Sequence, residues 1–262
     1  MKRTLLEGLP FVPPAELEGF LRGARIYDSS CSPEARVYFI DKDGGYYLKT
    51  AKKGTLEREA LMTDYFHSLG LGTEVLSYLS GDIDILLSAK MRGEDCTHSE
   101  YLSSPKRLCD TLAYQLRLLH ELDGSDCPIK KRTAEYIATV EENHRTGSYD
   151  RSQFTDGGFG YSSAEEAFRV FEEGKASLKC DTLLHGDYCL PNIMLDAWRF
   201  SGFIDLGNGG IGDRHIDLFW GVWTLWFNLG TYEYSSRFLD AYGRDKAEPE
   251  MLRVIAAAEV FG

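Results

Sequence analysis

Apolar residues in the first ninety positions come in short bursts separated by polar or glycine-rich turns. "ARVYFI", "YYLKT", "EVLSYL" and "DIDILLS" are rich in β-branched and aromatic residues and read as strands. The turn "DKDGG", Asp41 to Gly45, joins the first two as a hairpin. One segment breaks the pattern: "TLEREALMTDYFHSLG" repeats its apolar residues at helical spacing, with Thr55 as its N-cap and Gly70 closing it. After about Lys90 the period changes. Leu108, Leu112, Leu116 and Leu119 mark a helix in "SPKRLCDTLAYQLRLLHELDG", and further helices are expected near 132–145, 163–173, 213–229, 231–242 and 248–260. Between two of these lies "RTGSYDRSQFTDGGFGYSS", polar and glycine-rich, which reads as a long loop of the kind that often carries function. The outline is an α+β protein of two lobes. Residues 1–90 form a small antiparallel β-sheet with one helix, and residues 91–262 a larger, mainly helical lobe, joined by a connector near 88–93.

Bulk properties narrow the function. The chain has 262 residues, enough for two modest lobes with sizeable cores, and 43% of them are apolar. Lysine and arginine number 29 against 41 aspartates and glutamates, a formal charge of −12. Such a surface repels a nucleic acid backbone and attracts a cationic ligand. The six cysteines form no C-x-x-C pair, so zinc spacing is absent and reduced thiols of a cytoplasmic protein are expected. The first twenty residues lack the apolar core of a signal peptide, and no run approaches the ~18 apolar residues of a membrane helix. No membrane association is expected, and a monomer or weak dimer.

The chemistry concentrates in "LLHGDYCLPNIMLD". Asn192 follows Asp187 by five residues, and Asp205 follows Asn192 by thirteen, in "SGFIDLGNGG". Phe203 and Ile204 make a strand-like lead-in, and Gly207 allows a tight turn after it. Protein kinases use the same order of aspartate, asparagine and Asp-x-Gly. An aspartate orients the attacking hydroxyl and accepts its proton, while a carboxamide and a second carboxylate give hard oxygens to Mg²⁺. A lysine for the α and β phosphates and a helix glutamate to hold it are also needed. Lys49 sits in the second arm of the hairpin. Of its two candidate partners, Glu59 shares a helix face with Leu56, Ala60, Met62, Phe66 and Leu69, whereas Glu57 points away. A carboxylate on an apolar face needs a partner, and Lys49 is the natural one. His185 reads as a brace for the loop around Asp187, His120 as structural, Asp213 and Asp217 as caps or braces, and Trp220, Trp223 and Trp226 as core. The three tryptophans are also placed to line an apolar pocket.

These segments resemble the aminoglycoside phosphotransferases, and most the 3′ branch. The likeness rests on "LLHGDYCLPNIMLD" with "RFSGFIDLGNGGIGDRHIDL", and extends to "SPEARVYFI", "YYLKT", "LEREALM" and "LLHELDGSDCPI". It implies a bilobal protein-kinase-like fold and transfer of the ATP γ-phosphate, with Mg²⁺, to a hydroxyl of an aminoglycoside, conferring antibiotic resistance. GTP stays open as donor. By the same likeness Asp187 is the catalytic aspartate, Asn192 and Asp205 are the magnesium ligands, and Lys49 with Glu59 is the phosphate-binding pair. Tyr47 stacks on adenine, Ser32 lies in the nucleotide-positioning loop, and main-chain groups of Ala89 and Met91 bind the adenine edge. Glu259, Phe261 and Asp156 are the expected acceptor residues. The chain departs from the branch at Asn208 and Trp223, where arginine is usual, and at Ala258, where an acid is usual. The nucleotide half matches and the acceptor half is altered. Another small hydroxyl acceptor, such as a macrolide, amino alcohol or sugar, is therefore the second reading. A non-catalytic binding protein on the same fold is the third, disfavoured because Lys49, Glu59, Asp187, Asn192 and Asp205 are all present.

Overall fold

The protein is described by a computed structural model over residues 3–31, 35–149 and 158–262. In chain order the strands are β1 (Thr4–Leu6), β2 (Arg25–Asp28), β3 (Ala35–Asp41), β4 (Tyr46–Lys52), β5 (Val75–Ser80), β6 (Ile83–Ala89), β7 (Glu94–Asp95), β8 (Thr182–Leu184), β9 (Ile193–Asp196), β10 (Arg199–Phe203) and β11 (Gly210–Gly212). The helices are α1 (Glu18–Leu21), α2 (Glu57–Ser68), α3 (Ser99–Leu102), α4 (Pro105–His120), α5 (Arg132–Thr146), α6 (Ala164–Gly174), α7 (His215–Leu229), α8 (Glu233–Tyr242) and α9 (Pro249–Ala258). The chain divides into two compact units. One is the stretch up to Gly93 with Met194–Gly207; the other is Glu94–Ile193 with Asn208–Gly262.

The first unit is a six-stranded sheet in the order β1-β2-β3-β4-β6-β5, every neighbouring pair antiparallel. Alternation along the strands feeds two small cores. Tyr38, Ile40, Leu48, Ile85 and Leu87 pack on one side with Leu17 and Phe20, and Leu86 and Ala51 pack with Leu56 and Ala60 near α2. The register sets Lys49 opposite Val37 on β3 and Leu86 on β6, on the α2 side of the sheet. The sequence reading missed β1, β2 and α1, whose apolar residues are too few for a clear period.

The start of α2 differs from expectation. Thr55 does not cap it; its hydroxyl donates to Lys52 O. The buried carboxylate of Asp84, on β6, instead accepts from the Leu56 amide at 2.9 Å. A cap lent by a distant strand leaves no trace in the local sequence. The boundary expected at residue 90 likewise took no account of Met194–Gly207, which belongs to the first unit. There the Phe203 amide donates to Leu71 O at 2.7 Å, and its ring meets Phe66 edge-on at 6.1 Å.

The second unit is mainly helical. Its core joins Tyr136 and Val140 of α5, Ala167, Val170 and Phe171 of α6, and Met251, Val254 and Ile255 of α9. The five later helices stand where they were expected, within two residues. The start of α7 moves to His215 because Asp213 stays outside as its cap, accepting from the His215 amide at 2.9 Å. Among the described residues no helix is long and apolar enough to cross a membrane.

Candidate active site

In the first unit, Lys49 Nζ donates to Glu59 Oε2 at 2.7 Å and to Asp205 Oδ1 at 3.0 Å. Glu59 is 9% exposed, as its place on the apolar face of α2 required. Burial pulls the Lys49 ammonium down, but the Asp205 and Glu59 carboxylates more than offset it and the net direction is up. The lysine thus stays charged and aimed. Asp205 adopts φ 59°, a left-handed conformation rare outside glycine but tolerated by aspartate. A tight turn follows over Leu206–Asn208, as expected, and Asp205 is its left-handed entry. Gly207 lies beside α2, where a Cβ would stand 3.6 Å from Glu59 Cβ.

Tyr47 is half-buried on β4, its hydroxyl accepting from Arg3 at 2.8 Å and its ring 5.3 Å from Phe39. Ala89 ends β6, and its main chain is hydrogen-bonded on both sides. Its amide donates to Glu74 O at 3.0 Å and its carbonyl accepts the Thr73 hydroxyl, which leaves the second lone pair of that carbonyl for a nucleotide. Met91 is half-buried in the connector. Ser32 lies outside the described residues, as does Asp156.

In the second unit, Asp187 is half-buried and Asn192 is 8% exposed. The Asn192 amide nitrogen donates to the Asp187 carboxylate at 2.9 Å and to its carbonyl at 3.0 Å. That leaves the Asn192 Oδ1 as the atom for a cation. The loop is braced from below by Asp217 of α7, fully buried, which accepts from the His185 amide at 2.8 Å and the Gly186 amide at 2.7 Å. His120 adds a third donor to the same carboxylate at 3.1 Å and contacts the Tyr242 hydroxyl at 2.8 Å. His185 Nδ1 accepts from the Asp187 amide at 3.2 Å, the bracing role expected of it. Further along the loop, the Leu190 amide donates to Thr224 Oγ1 of α7 at 3.0 Å. Gly186 is obligatory: φ is +86° and a Cβ would fall 1.9 Å from Asn208 O. That carbonyl also accepts from Arg132 at 2.8 Å, so a guanidinium stands beside Asn208, supplied by α5.

The C-terminal residues are deeply set. Glu259 is 8% exposed and accepts the Tyr136 hydroxyl at 2.8 Å. Burial pushes its carboxyl up to about 7, against the hydrogen bonds from Tyr136 and Trp220 that pull it down. Phe261 is fully enclosed, meeting His144, Tyr149 and Phe168 edge-on at 5.4, 5.1 and 5.8 Å. Its ring pins the last turn. Trp220, Trp223 and Trp226 are half-buried, and Trp220 packs against the core of this unit as expected.

No group of three or more His, Cys, Asp or Glu side chains among the described residues could hold a metal. A Mg²⁺ carried by nucleotide phosphates needs only one or two protein oxygens, and Asp205 in the first unit and Asn192 Oδ1 in the second are each donors of that hard kind.

Comparison with known proteins follows the same lines. Residues 32–253 match the model of the phosphotransferase enzyme family. A probable aminoglycoside 3′-phosphotransferase of Lactococcus lactis is 52% identical over 250 residues, 95% of each chain. An aminoglycoside 3′-phosphotransferase of Niallia circulans is 28% identical over 185 residues, 69% of this chain and 68% of that one. The fold is that of the crystal structure of an aminoglycoside-3′-phosphotransferase of type VIII, with a TM-score of 0.78, 22% identity, and coverage of 95% of this chain and 100% of that chain. A family match across most of the sequence and a relative identical at half its positions agree with the residues that bind lysine to carboxylate, and the chain belongs to the phosphotransferase enzyme family.

Proposed function

We propose that this protein transfers the γ-phosphate of ATP to a hydroxyl of an aminoglycoside, as a 3′-type enzyme conferring resistance. The observation that carries the phosphotransfer reading is Lys49, held charged between Glu59 and Asp205. The 52% identical relative, named for aminoglycoside 3′-phosphorylation, carries the acceptor reading. Lys49 takes the α and β phosphates, with Tyr47 and the Met91 main chain positioning adenine. Asp187 orients the acceptor hydroxyl and receives its proton. Asn192 Oδ1 and Asp205 would hold Mg²⁺, which would neutralise charge on the nucleotide phosphates. Glu259, and Asp156 in the loop, receive acceptor ammonium groups. On this reading the activity, which draws on ATP, is cytoplasmic, and the chain is a monomer or weak dimer.

The direct test is turnover with a panel of aminoglycosides, a macrolide and amino alcohols. Asp205→Ala should abolish turnover at every magnesium concentration. Asn192→Ala, which removes only a neutral ligand, should recover part of it in excess Mg²⁺. Full activity in EDTA would end the kinase reading. One observation favours a second acceptor class: the half-exposed tryptophans of α7 suit a less polar molecule such as a macrolide. Turnover of the macrolide alone would establish that reading in place of the first.

A further inference from the structure

Helix α7 holds the Asp187 loop at two points seven residues apart. Asp217 binds the amides of His185 and Gly186, and Thr224 binds that of Leu190. Seven residues are two turns, so one face of α7 runs along the loop as a splint. Three residues on from each anchor stand Trp220 and Phe227. That step turns the helix by about 60° from the splint face. Both rings therefore share a flank beside the loop, and Trp223 stands next to them. The Trp223 and Phe227 rings are near-parallel, 4.8 Å apart and inclined by 13°; Trp220 meets Trp223 edge-on at 5.3 Å. Trp220 also hydrogen-bonds Glu259, whose carboxyl feels the charge of Asp187.

On this flank Trp220 packs against the core, and the rings that follow it reach outward. The buried face of α7 is made by Ile216, Leu218, Gly221 and Leu225, while Phe227 is 63% exposed. Stacked rings left facing water cost free energy, and a row of them marks a contact surface. Two features of the surroundings choose the occupant. The rings begin at a carboxyl, Glu259, and run along the loop that carries Asp187. The chain as a whole bears a charge of −12. A flat π face next to carboxylates suits a saturated ring with apolar C–H bonds on one side and ammonium groups at its rim, since ring faces attract both C–H and cation.

We infer that Trp220, Trp223 and Phe227 form an aromatic platform on which an amino-sugar ring of the acceptor stacks, fixing which hydroxyl reaches Asp187. The inference rests on the proposed acceptor class and adds to it the surface that selects the ring. It commits to an amino sugar rather than a macrolide.

Phe227→Ala tests it at the most exposed ring, where folding is not at risk, and Trp223→Phe keeps a smaller ring in place. With kanamycin as acceptor, Phe227→Ala should raise the acceptor KM about tenfold and leave the ATP KM unchanged. Trp223→Phe should give an intermediate increase. Calorimetric titration of kanamycin into the nucleotide-free protein should show the same order of weakening, and saturation of the aromatic protons should pass to kanamycin ring protons in the wild type. Acceptor KM and kanamycin affinity both within twofold of wild type in Phe227→Ala overturn the platform. If the wild type phosphorylates kanamycin in that case, the proposed function stands without it. If the wild type neither binds nor phosphorylates kanamycin, the function and the platform fall together.

Discussion

A lysine enclosed by protein tends to lose its proton, yet Lys49 has two carboxylates within 3.0 Å and keeps it. The site depends on such pairings, residue by residue. Asp187 is the residue whose loss should be felt in rate and not in nucleotide binding. Asp187→Ala should lower kcat by ~10²–10⁴, the usual cost of removing a general base, with the ATP dissociation constant unchanged. A variant keeping more than a tenth of wild-type turnover would remove Asp187 from that role. Glu259 gives a pH signature. Its carboxyl is raised from 4.5 to about 7, so the folded protein binds a proton there more tightly than the unfolded chain does. The associated stability is fully present below about 4.5 and is lost as pH rises through about 7. Chemical denaturation of wild type and Glu259→Gln across that window should show a falling stability in the wild type and a flatter profile in the variant. Equal slopes would mean that Glu259 does not carry the proton.

At the level of elements, α2 is the part that sets Glu59 against Lys49, and its two ends are held from elsewhere. Asp84 caps its start from β6, and the Asp84 carboxyl is held at about 2: burial raises it, but hydrogen bonds led by that of the Leu56 amide win. Its contribution is present above 3.8 and is lost as pH falls through about 2. Asp84→Ala should cost ~1.5–3 kcal/mol, the range for a hydrogen bond to a charged group, and raise the ATP KM by loosening Glu59. An unchanged melting temperature would deny Asp84 that role. Near the other end, Phe66 packs on Phe203 of β10, two residues before Asp205. Phe66→Ala should cost ~3–5 kcal/mol, typical of a buried phenylalanine, and its residual activity should need more Mg²⁺. These element-level ties explain a gap in the sequence reading. Periodicity located α2 and chose Glu59 over Glu57, because one helix face must be apolar. It could not supply the cap, because hydrogen-bond partners distant in sequence are invisible to a local window.

For the whole molecule, charge and topology are the governing properties. With a net −12, association of a cationic acceptor should slow and weaken as ionic strength rises, within the ~8–10 Å screening length of physiological salt. Acceptor KM measured against sodium chloride should climb while kcat stays level; a flat KM would point to an uncharged acceptor. The sequence by itself determined a good deal: a β-rich first part and a helical second, the order Lys49, Glu59, Asp187, Asn192, Asp205, and the family those residues resemble. It could do so because strand and helix periods are local, and because phosphate, metal and proton chemistry admit few residue types at few spacings. Only the tertiary structure decided the rest. It assigned Met194–Gly207 to the first unit, gave Asp205 its left-handed conformation, tied the Ala89 main chain to Thr73 and Glu74, enclosed Phe261 and left the tryptophans of α7 half-buried. Each of those outcomes is set by which distant segments meet, and burial is a property of the meeting rather than of the residue.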